Sequence, residues 1–425
     1  MLRFTFSPTH DMDIEELRIA LLNYIVANQR KEDFIVRVED TDKEKNREAK
    51  DQEVLDILGL FEIKHSQVVY QSQNFRFHSA MALQLLHEKK AFSCFCSDEW
   101  LEKKQNEAKE AKKEYSYDDA CRNLPAELVI DNTAPFSIRV VRPQKSIVLA
   151  DKIQGEVSFA PDTIDSFIIM NRDKTPRYNF ASAVDDMLND ISCIITNNEE
   201  IKNTAKQLHV RDQLGYDKKI EYAHLPMIII DKEQKSDVKY FLEEGYLPEA
   251  ISNYLISTVC KPPKEIFALK EVVEWLDLQN FTKEPVVFDI EKLKQINKEH
   301  LRKLDATELS RYVGFADAEI GELARIYLND VNTTKELRAK IAPIFSKRDI
   351  PQALKKQTTL MAKVIKNAPY FEEYNDFKHY VMQETAFKEK DYLLSLRLLL
   401  TNAQKGPDLA EIYKYIKNYI KEIVK

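Results

Sequence analysis

The segment Ser7–Arg18 reads SPTHDMDIEELR and joins two patterns of different period. Before it, residues 2 to 6 have the apolar composition of a strand, and after it residues 14 to 30 have the amphipathic spacing of a helix. A second apolar run follows at residues 33 to 38. Strand, helix and strand in this order predict a parallel sheet, in which ligands bind near the carboxyl ends of the strands.

The start of this predicted helix is acidic and has no glycine. Glycine lets a backbone approach a nucleotide closely, and a helix N-terminus donates N–H groups to an anion. Glu15 adds bulk and a negative charge, and two like charges about 4 Å apart repel by about 4 kcal/mol at an effective dielectric constant of roughly 20. We therefore expect a triphosphate to avoid this site. The alternative is that Asp13, Glu15 and Glu16 only complement the helix dipole.

Composition narrows the class of protein. The chain has 425 residues, is 44% hydrophobic and carries a formal net charge of −7, which argues against a generally basic surface that coats RNA. It has only 7 glycines, where average usage of about 7% would give roughly 30. No apolar run of about 18 residues occurs, so we expect no membrane span, no signal peptide and a cytoplasmic location.

Four further motifs follow the first segment. Arg37–Asp42 reads RVEDTD at the end of the second strand, and Tyr178–Asp186 reads YNFASAVDD. Ile195–Glu200 reads ITNNEE, and Asp231–Lys239 reads DKEQKSDVK after the apolar run at 227 to 230. Taken alone, the first could be a helix N-cap and the second a buried aromatic strand.

Together these motifs resemble the glutamyl-tRNA synthetases, whose signatures read SPTG, HIG, EDTD, YNF with VDD, IRGEDH and KMSKR. The resemblance covers essentially the whole chain. It implies an α/β fold, namely a class I synthetase Rossmann-like catalytic domain with an insertion, followed by all-α C-terminal domains. The implied division is 1–92 and 191–235 for the two halves of the Rossmann-like domain, 93–190 for an acceptor-binding insertion, 236–310 for a helical stem-contact domain and 311–425 for a helical anticodon-binding-like domain.

The resemblance also assigns site residues. The remnant of the substrate pocket is Arg3, Ser7, Thr9, Glu39, Tyr178 and Asn179, and the glutamate at the position of Glu39 contacts the amino group of the substrate in the family. The degenerate positions are His10 and Glu15 for glycines, Asp13 for the histidine of HIG, and Thr196 for the arginine that pairs with the substrate carboxylate. Losing that bidentate contact weakens binding by about 2 to 3 kcal/mol. The KMSKR-type loop is shortened and its signature is absent.

Two principal hypotheses of function follow. In the first, ATP binding and glutamate activation are lost, and the chain binds tRNA or a protein partner such as an active synthetase, a tRNA-modifying enzyme or an amidotransferase. In the second, it is an active glutamate–tRNA ligase that charges a restricted set of tRNAs. A third hypothesis is a protein scaffold that has lost tRNA as well.

Cysteines and basic residues suggest two further sites. Cys94, Cys96 and Cys121, with Tyr117, resemble a structural zinc site in the insertion of some family members, with Tyr117 or water as fourth ligand. The alternative is buried free thiols. Lys347, Arg348, Lys355 and Lys356 are candidate contacts to RNA phosphates, although charge runs usually form solvated faces.

Overall fold

The computed structural model describes residues 1–387 and 389–424, without the side chains at positions 126, 130 and 389–391. These residues form two compact units. The first comprises Met1–Val238, Leu255–Pro263 and Phe267–Phe288, and the second comprises Lys239–Tyr254, Lys264–Ile266 and Asp289–Lys425.

The strands are β1 (Leu2–Phe6), β2 (Phe34–Val38), β3 (Gln67–Tyr70), β4 (Ala91–Cys94), β5 (Ser137–Val140), β6 (Ile147–Asp151), β7 (Gly155–Phe159), β8 (Ile168–Met170), β9 (Cys193–Asn197), β10 (Glu221–Leu225), β11 (Ile228–Ile229) and β12 (Val286–Val287). The helices of the first 240 residues are α1 (Ile14–Arg30), α2 (Lys50–Leu60), α3 (Phe75–His87), α4 (Asp98–Glu110), α5 (Ala126–Ile130), α6 (Tyr178–Leu188), α7 (Ile201–Gln213) and α8 (Val238–Glu243). The later helices are α9 (Pro248–Ser257), α10 (Leu269–Trp275), α11 (Ile290–Lys303), α12 (Ala306–Tyr312), α13 (Ala318–Ile326), α14 (Thr334–Ile341), α15 (Lys355–Asn367), α16 (Tyr374–Thr385), α17 (Glu389–Thr401), α18 (Leu409–Ile416) and α19 (Ile420–Ile423).

The first unit is built on a seven-stranded sheet with the order β3-β2-β1-β9-β10-β6-β7. All neighbouring strands are parallel except β6 and β7, which form an antiparallel hairpin. Strand β2 is buried at every position, as expected for a strand covered by helices on both faces. The parallel sheet and the helical C-terminal region confirm the predicted α/β fold class.

Two segments pair with other strands than the sequence predicted. Strands β6 and β7 lie within 93–190, the predicted insertion, yet they extend the main sheet, while β4, β5 and β8 form a separate three-stranded sheet. The run at 227 to 230 does not join the main sheet either. Pro226 lacks an N–H group and follows β10 directly, so the chain leaves the ladder there, and β11 pairs with β12 instead. The five-part division of the chain stays a prediction.

In the second unit, α12 and α13 approach so closely that a side chain does not fit between them. A Cβ atom added to Gly321 would lie 1.7 Å from the carbonyl oxygen of Ala306. Because helix backbones cannot be compressed, a methyl group here must separate the two helices.

We expect Gly321→Ala to lower the free energy of unfolding by about 1 to 3 kcal/mol or more. Gly59→Ala is the matched control, since Gly59 also lies in a helix but has no atom within 4 Å of its added Cβ. The control should gain about 0.5 to 1 kcal/mol from helix propensity. Chemical unfolding followed by circular dichroism measures both, and equal shifts in the two variants would contradict the packing argument.

Candidate active site and metal centre

The start of α1 is capped by its own acidic side chains. Asp13 is the N-cap residue, and its Oδ1 accepts the N–H of Glu16 at 2.9 Å. The Glu16 carboxylate in turn accepts the N–H of Asp13 at 3.1 Å and lies 3.1 Å from Nε2 of His10. One of the free N–H groups of the helix start is therefore bound within the chain, as in a capping box.

Glu15 contacts β11, the strand that pairs with β12 outside the main sheet. Its Oε1 accepts the N–H of Ile228 at 2.7 Å and lies 3.5 Å from Nη2 of Arg18. Burial raises the pKa of Glu15 above its ordinary value. The side chain at this glycine position thus has a structural role in the present chain.

The shortened segment 231–238 pairs with the residues that precede and begin α1. The carbonyl oxygen of Ser236 accepts the N–H of Ile14 at 3.0 Å, and the N–H of Val238 donates to the carbonyl oxygen of Met12 at 2.9 Å. Asp237 forms an antiparallel bridge with Asp13. Hence the first helical N–H group, which an anion would contact, is already occupied by backbone.

Arg3, one of the residues predicted to form the amino-acid pocket, belongs to a buried ionic cluster centred on Asp186 of α6. Arg3 binds the Asp186 carboxylate with Nε at 2.8 Å and Nη2 at 3.2 Å, and Arg37 binds it with Nη2 at 2.7 Å. Arg211 of α7 lies 3.5 Å from the same carboxylate. Although burial opposes ionisation, Arg3 and Arg37 hold the pKa of Asp186 well below its usual range.

Glu39 lies beside this cluster at the end of β2. The Ser182 hydroxyl donates to its Oε1 at 3.3 Å, and the Ser7 hydroxyl donates to its backbone carbonyl at 3.4 Å. Burial raises the pKa of Glu39 to about 7, against the opposing effect of Arg37 and Arg3. A cation and a titrating carboxylate therefore lie side by side, which suits the opposite charges of an amino acid.

Two of the other predicted pocket residues, Tyr178 and Asn179, each donate a hydrogen bond to a residue in or just before α7. The Tyr178 hydroxyl donates to Glu200 at 2.9 Å, and the Asn179 side chain donates to Asn203 at 3.0 Å. Thr9 lies apart from these pairs, and its hydroxyl is 3.1 Å from Nδ1 of the exposed His10. Thr196 occupies a half-buried position of β9.

Sequence reasoning missed the roles of Asp186, Arg37 and Arg211. The signal was present, because a charged residue in the middle of a buried strand such as β2 requires an ionic partner. The sequence did not indicate which of its many acidic residues that partner was. A second missed network links His224 to Asp151 at 2.6 Å and to Thr204 at 2.9 Å, and all three side chains are buried.

The structure brings the three predicted zinc-binding cysteines together. The sulfur atoms of Cys94, Cys96 and Cys121 all lie within 4.8 Å of one another. The Tyr117 hydroxyl is 3.6 Å from the sulfur of Cys94 and 3.4 Å from that of Cys96, and Arg139 donates to Cys94 at 3.3 Å. Three thiols and a phenol at these distances are a donor set compatible with a structural zinc ion.

The four basic residues predicted to contact RNA differ in their surroundings. Lys347, Lys355 and Lys356 are exposed, and the last two line a surface groove along α15. Arg348 is engaged within the fold, where Nε and Nη1 donate to the carbonyl oxygens of Ile423 and Pro343 at 2.9 Å each. Burial lowers the pKa of Arg348 to about 10. The contacts to RNA stay predictions.

No helix in the described part of the chain is long and apolar enough to cross a membrane.

Comparisons with known proteins identify the family to which the chain belongs. The model of the class I tRNA synthetases (E and Q), catalytic domain, matches residues 1–295. Glutamate–tRNA ligase 2 of Sulfurimonas denitrificans is 58% identical and glutamate–tRNA ligase 1 of Nitratiruptor sp. is 45% identical, each over 100% of both chains. A crystal structure of a glutamate tRNA ligase from Elizabethkingia meningosepticum has the same fold, with a TM-score of 0.80 at 22% identity over 99% of this chain and 97% of that one. These matches confirm the resemblance drawn from the motifs, and the chain belongs to the class I tRNA synthetase (E and Q) family.

Proposed function

We propose that this chain is a glutamate–tRNA ligase that uses ATP to join glutamate to a restricted set of tRNAs. The observation that carries the proposal is the ionic cluster of the pocket, where Arg3 is held by Asp186 at 2.8 Å beside Glu39. Arg3 offers a cation for a carboxylate, and Glu39 offers a carboxylate for the amino group. The names of the full-length relatives support this second hypothesis of the sequence analysis better than the first.

A second candidate function is tRNA binding without glutamate activation, and the geometry at α1 favours it. The N–H of Ile14 is bound to Ser236, Glu15 adds a carboxylate, and Thr196 supplies no cation. In an active ligase, the segment 231–238 would have to move away from α1, and other cations would have to hold the triphosphate. Lys232 and Lys235 lie within this segment and are the candidates for that role. A chain without activation would act through a partner such as an active synthetase, a tRNA-modifying enzyme or an amidotransferase. Both candidates place the chain in the cytoplasm.

One experiment separates the two candidates. The chain is incubated with ATP, glutamate and total tRNA, and we expect glutamyl-tRNA above the background of Arg3→Ala, which lacks the cation that binds the carboxylate. Filter binding to tRNA across a salt series is measured in parallel, because a protein that contacts phosphates must bind more weakly as salt rises. Salt-dependent binding with no glutamyl-tRNA would favour the second candidate, and no tRNA binding would refute both.

Glutamate binding should depend on pH through Glu39. The pKa of this carboxyl is raised to about 7 by burial, so Glu39 is protonated below that pH and cannot pair with the substrate ammonium group. Affinity for glutamate should therefore fall as the pH drops from 8 to 6, by about tenfold per pH unit once below the pKa. Calorimetric titration measures this, with Glu39→Gln as the variant whose affinity should not change with pH. An unchanged affinity in the parent chain would contradict the role of Glu39.

We further propose that the cysteine cluster binds one structural zinc ion through Cys94, Cys96 and Cys121, with Tyr117 or water as fourth ligand. Bound zinc would tie β4 to the segment after α4. The chain should contain about one equivalent of zinc by elemental analysis, and Cys96→Ser should lose it. Cys260→Ser is the control, since this free cysteine lies outside the cluster. Zinc content near zero in the parent chain, purified without chelator, would favour free thiols.

A further inference from the structure

A surface cavity of about 720 Å³ lies beside α3, and we call it the α3 cavity. It is lined by residues from α3, from β5 and the segment before it, and from β8 and the turn after it. None of these residues belongs to the predicted amino-acid pocket, to the cysteine cluster or to the predicted RNA contacts. Sites for small molecules measure about 300 to 1,000 Å³, so the α3 cavity is large enough for a small ligand.

The walls of the α3 cavity expose apolar side chains. Leu83 of α3 is 62% exposed and Phe136 is 39% exposed, whereas Ala82 and Met170, which also line the cavity, are almost fully buried. The ring of Phe136 packs against that of Phe95, with 5.5 Å between the ring centroids. Covering apolar surface in a concave site is favourable, and an exposed ring adds a preference for an aromatic partner. The walls therefore suit an apolar body that contains a ring.

The charge around the α3 cavity has one sign. Among the described residues that line it, Arg172 and Lys174 are cations and none is a carboxylate. Arg172 is partly neutralised, because its Nη1 donates to Asp98 at 3.1 Å. Lys174 is exposed and takes part in no ion pair within the described part of the chain. Its ammonium group is thus available to an anion.

A tight turn after β8 places Lys174 at the cavity. The N–H of Lys174 donates to the carbonyl oxygen of Asn171 at 3.0 Å, and Lys174 has a φ of 67°, in the left-handed region. The neighbouring carboxylate of Asp173 is engaged within the turn, where it accepts the N–H of Thr175 at 2.9 Å and its hydroxyl at 2.6 Å. The turn therefore fixes the backbone of the cation and occupies the nearest acid in sequence.

From this combination of walls and charge we propose that the α3 cavity binds a small carboxylate with an aromatic body. The body covers Leu83 and Phe136, and the carboxylate pairs with Lys174. A nucleic acid is the less suitable occupant, because RNA binding relies on several phosphate contacts and the cavity offers a single cation outside an ion pair. The proposal goes beyond the proposed function, since it requires neither glutamate nor ATP.

Ligand-observed NMR titration of the full chain with cinnamate tests the proposal. The parent chain should bind cinnamate, and it should bind cinnamyl alcohol, which has the same ring without the charge, about fivefold more weakly. Lys174→Asn should weaken cinnamate binding by about fivefold and leave the alcohol unchanged, because asparagine tolerates the left-handed backbone and carries no charge. Leu83→Glu should weaken cinnamate binding by about tenfold or more, because it places a like charge on the wall.

Two matched controls lie outside the α3 cavity. Lys89→Asn removes another exposed lysine with a left-handed backbone, at a φ of 57°. Leu60→Glu changes another exposed helical leucine, at 58% exposure. Both controls should bind cinnamate as the parent chain does, and circular dichroism should show that all four variants are folded.

The same titrations can overturn the proposal. It is wrong if the parent chain does not bind cinnamate, if the acid and the alcohol bind equally, or if Lys174→Asn and Lys89→Asn have the same effect. It is also wrong if total tRNA displaces cinnamate, or if sedimentation shows a dimer that Leu83→Glu dissociates, because RNA or a second copy then covers the cavity. Formation of glutamyl-tRNA is measured separately, so failure of the ligase function leaves this proposal unaffected.

Discussion

The buried carboxylate of Asp186 is the interaction on which the first unit depends. It joins β1, β2, α6 and α7 through Arg3, Arg37 and Arg211, although these elements are spread over more than two hundred residues of sequence. Removing an ion from water costs several kcal/mol, and the ions of this cluster recover that cost only when all of them meet. The sheet must therefore dock with α6 and α7 for the cluster to form.

A different constraint applies to the start of α1, where the N–H groups of the first turn need acceptors. A helix start leaves N–H groups without partners, and a ligand or the protein itself must satisfy them. In this chain the protein does so, because Asp13 binds the N–H of Glu16 and Ser236 binds the N–H of Ile14. The side chain of Glu15 then satisfies the N–H of Ile228. The N–H groups at this helix start are thus satisfied in part by the chain itself.

Local patterns were sufficient to predict the local parts of this fold. The order of β1, α1 and β2 follows from apolar periodicity, and the proximity of Cys94, Cys96 and Cys121 follows from their spacing together with the family motif. The pairing of β6 and β7 with the main sheet could not be predicted in this way, since hydrogen bonds between residues far apart in sequence decide it. The role of Arg37 was missed for the same reason, because its partner lies 149 residues away.

The arginine cluster and the start of α1 therefore differ in what they indicate about activity. Arg3, Arg37 and Asp186 also stabilise the fold, since any one of them alone would be a buried charge without a partner. Their mutual contacts serve folding, whereas the carboxylate of Glu39 beside them is bound only by the Ser182 hydroxyl among the side-chain contacts of the described residues. The start of α1 makes different contacts, because Asp13 caps the helix and Glu15 accepts the N–H of Ile228. An anion at this helix start would have to displace the segment 231–238 from Ile14 and Met12, which costs two backbone hydrogen bonds.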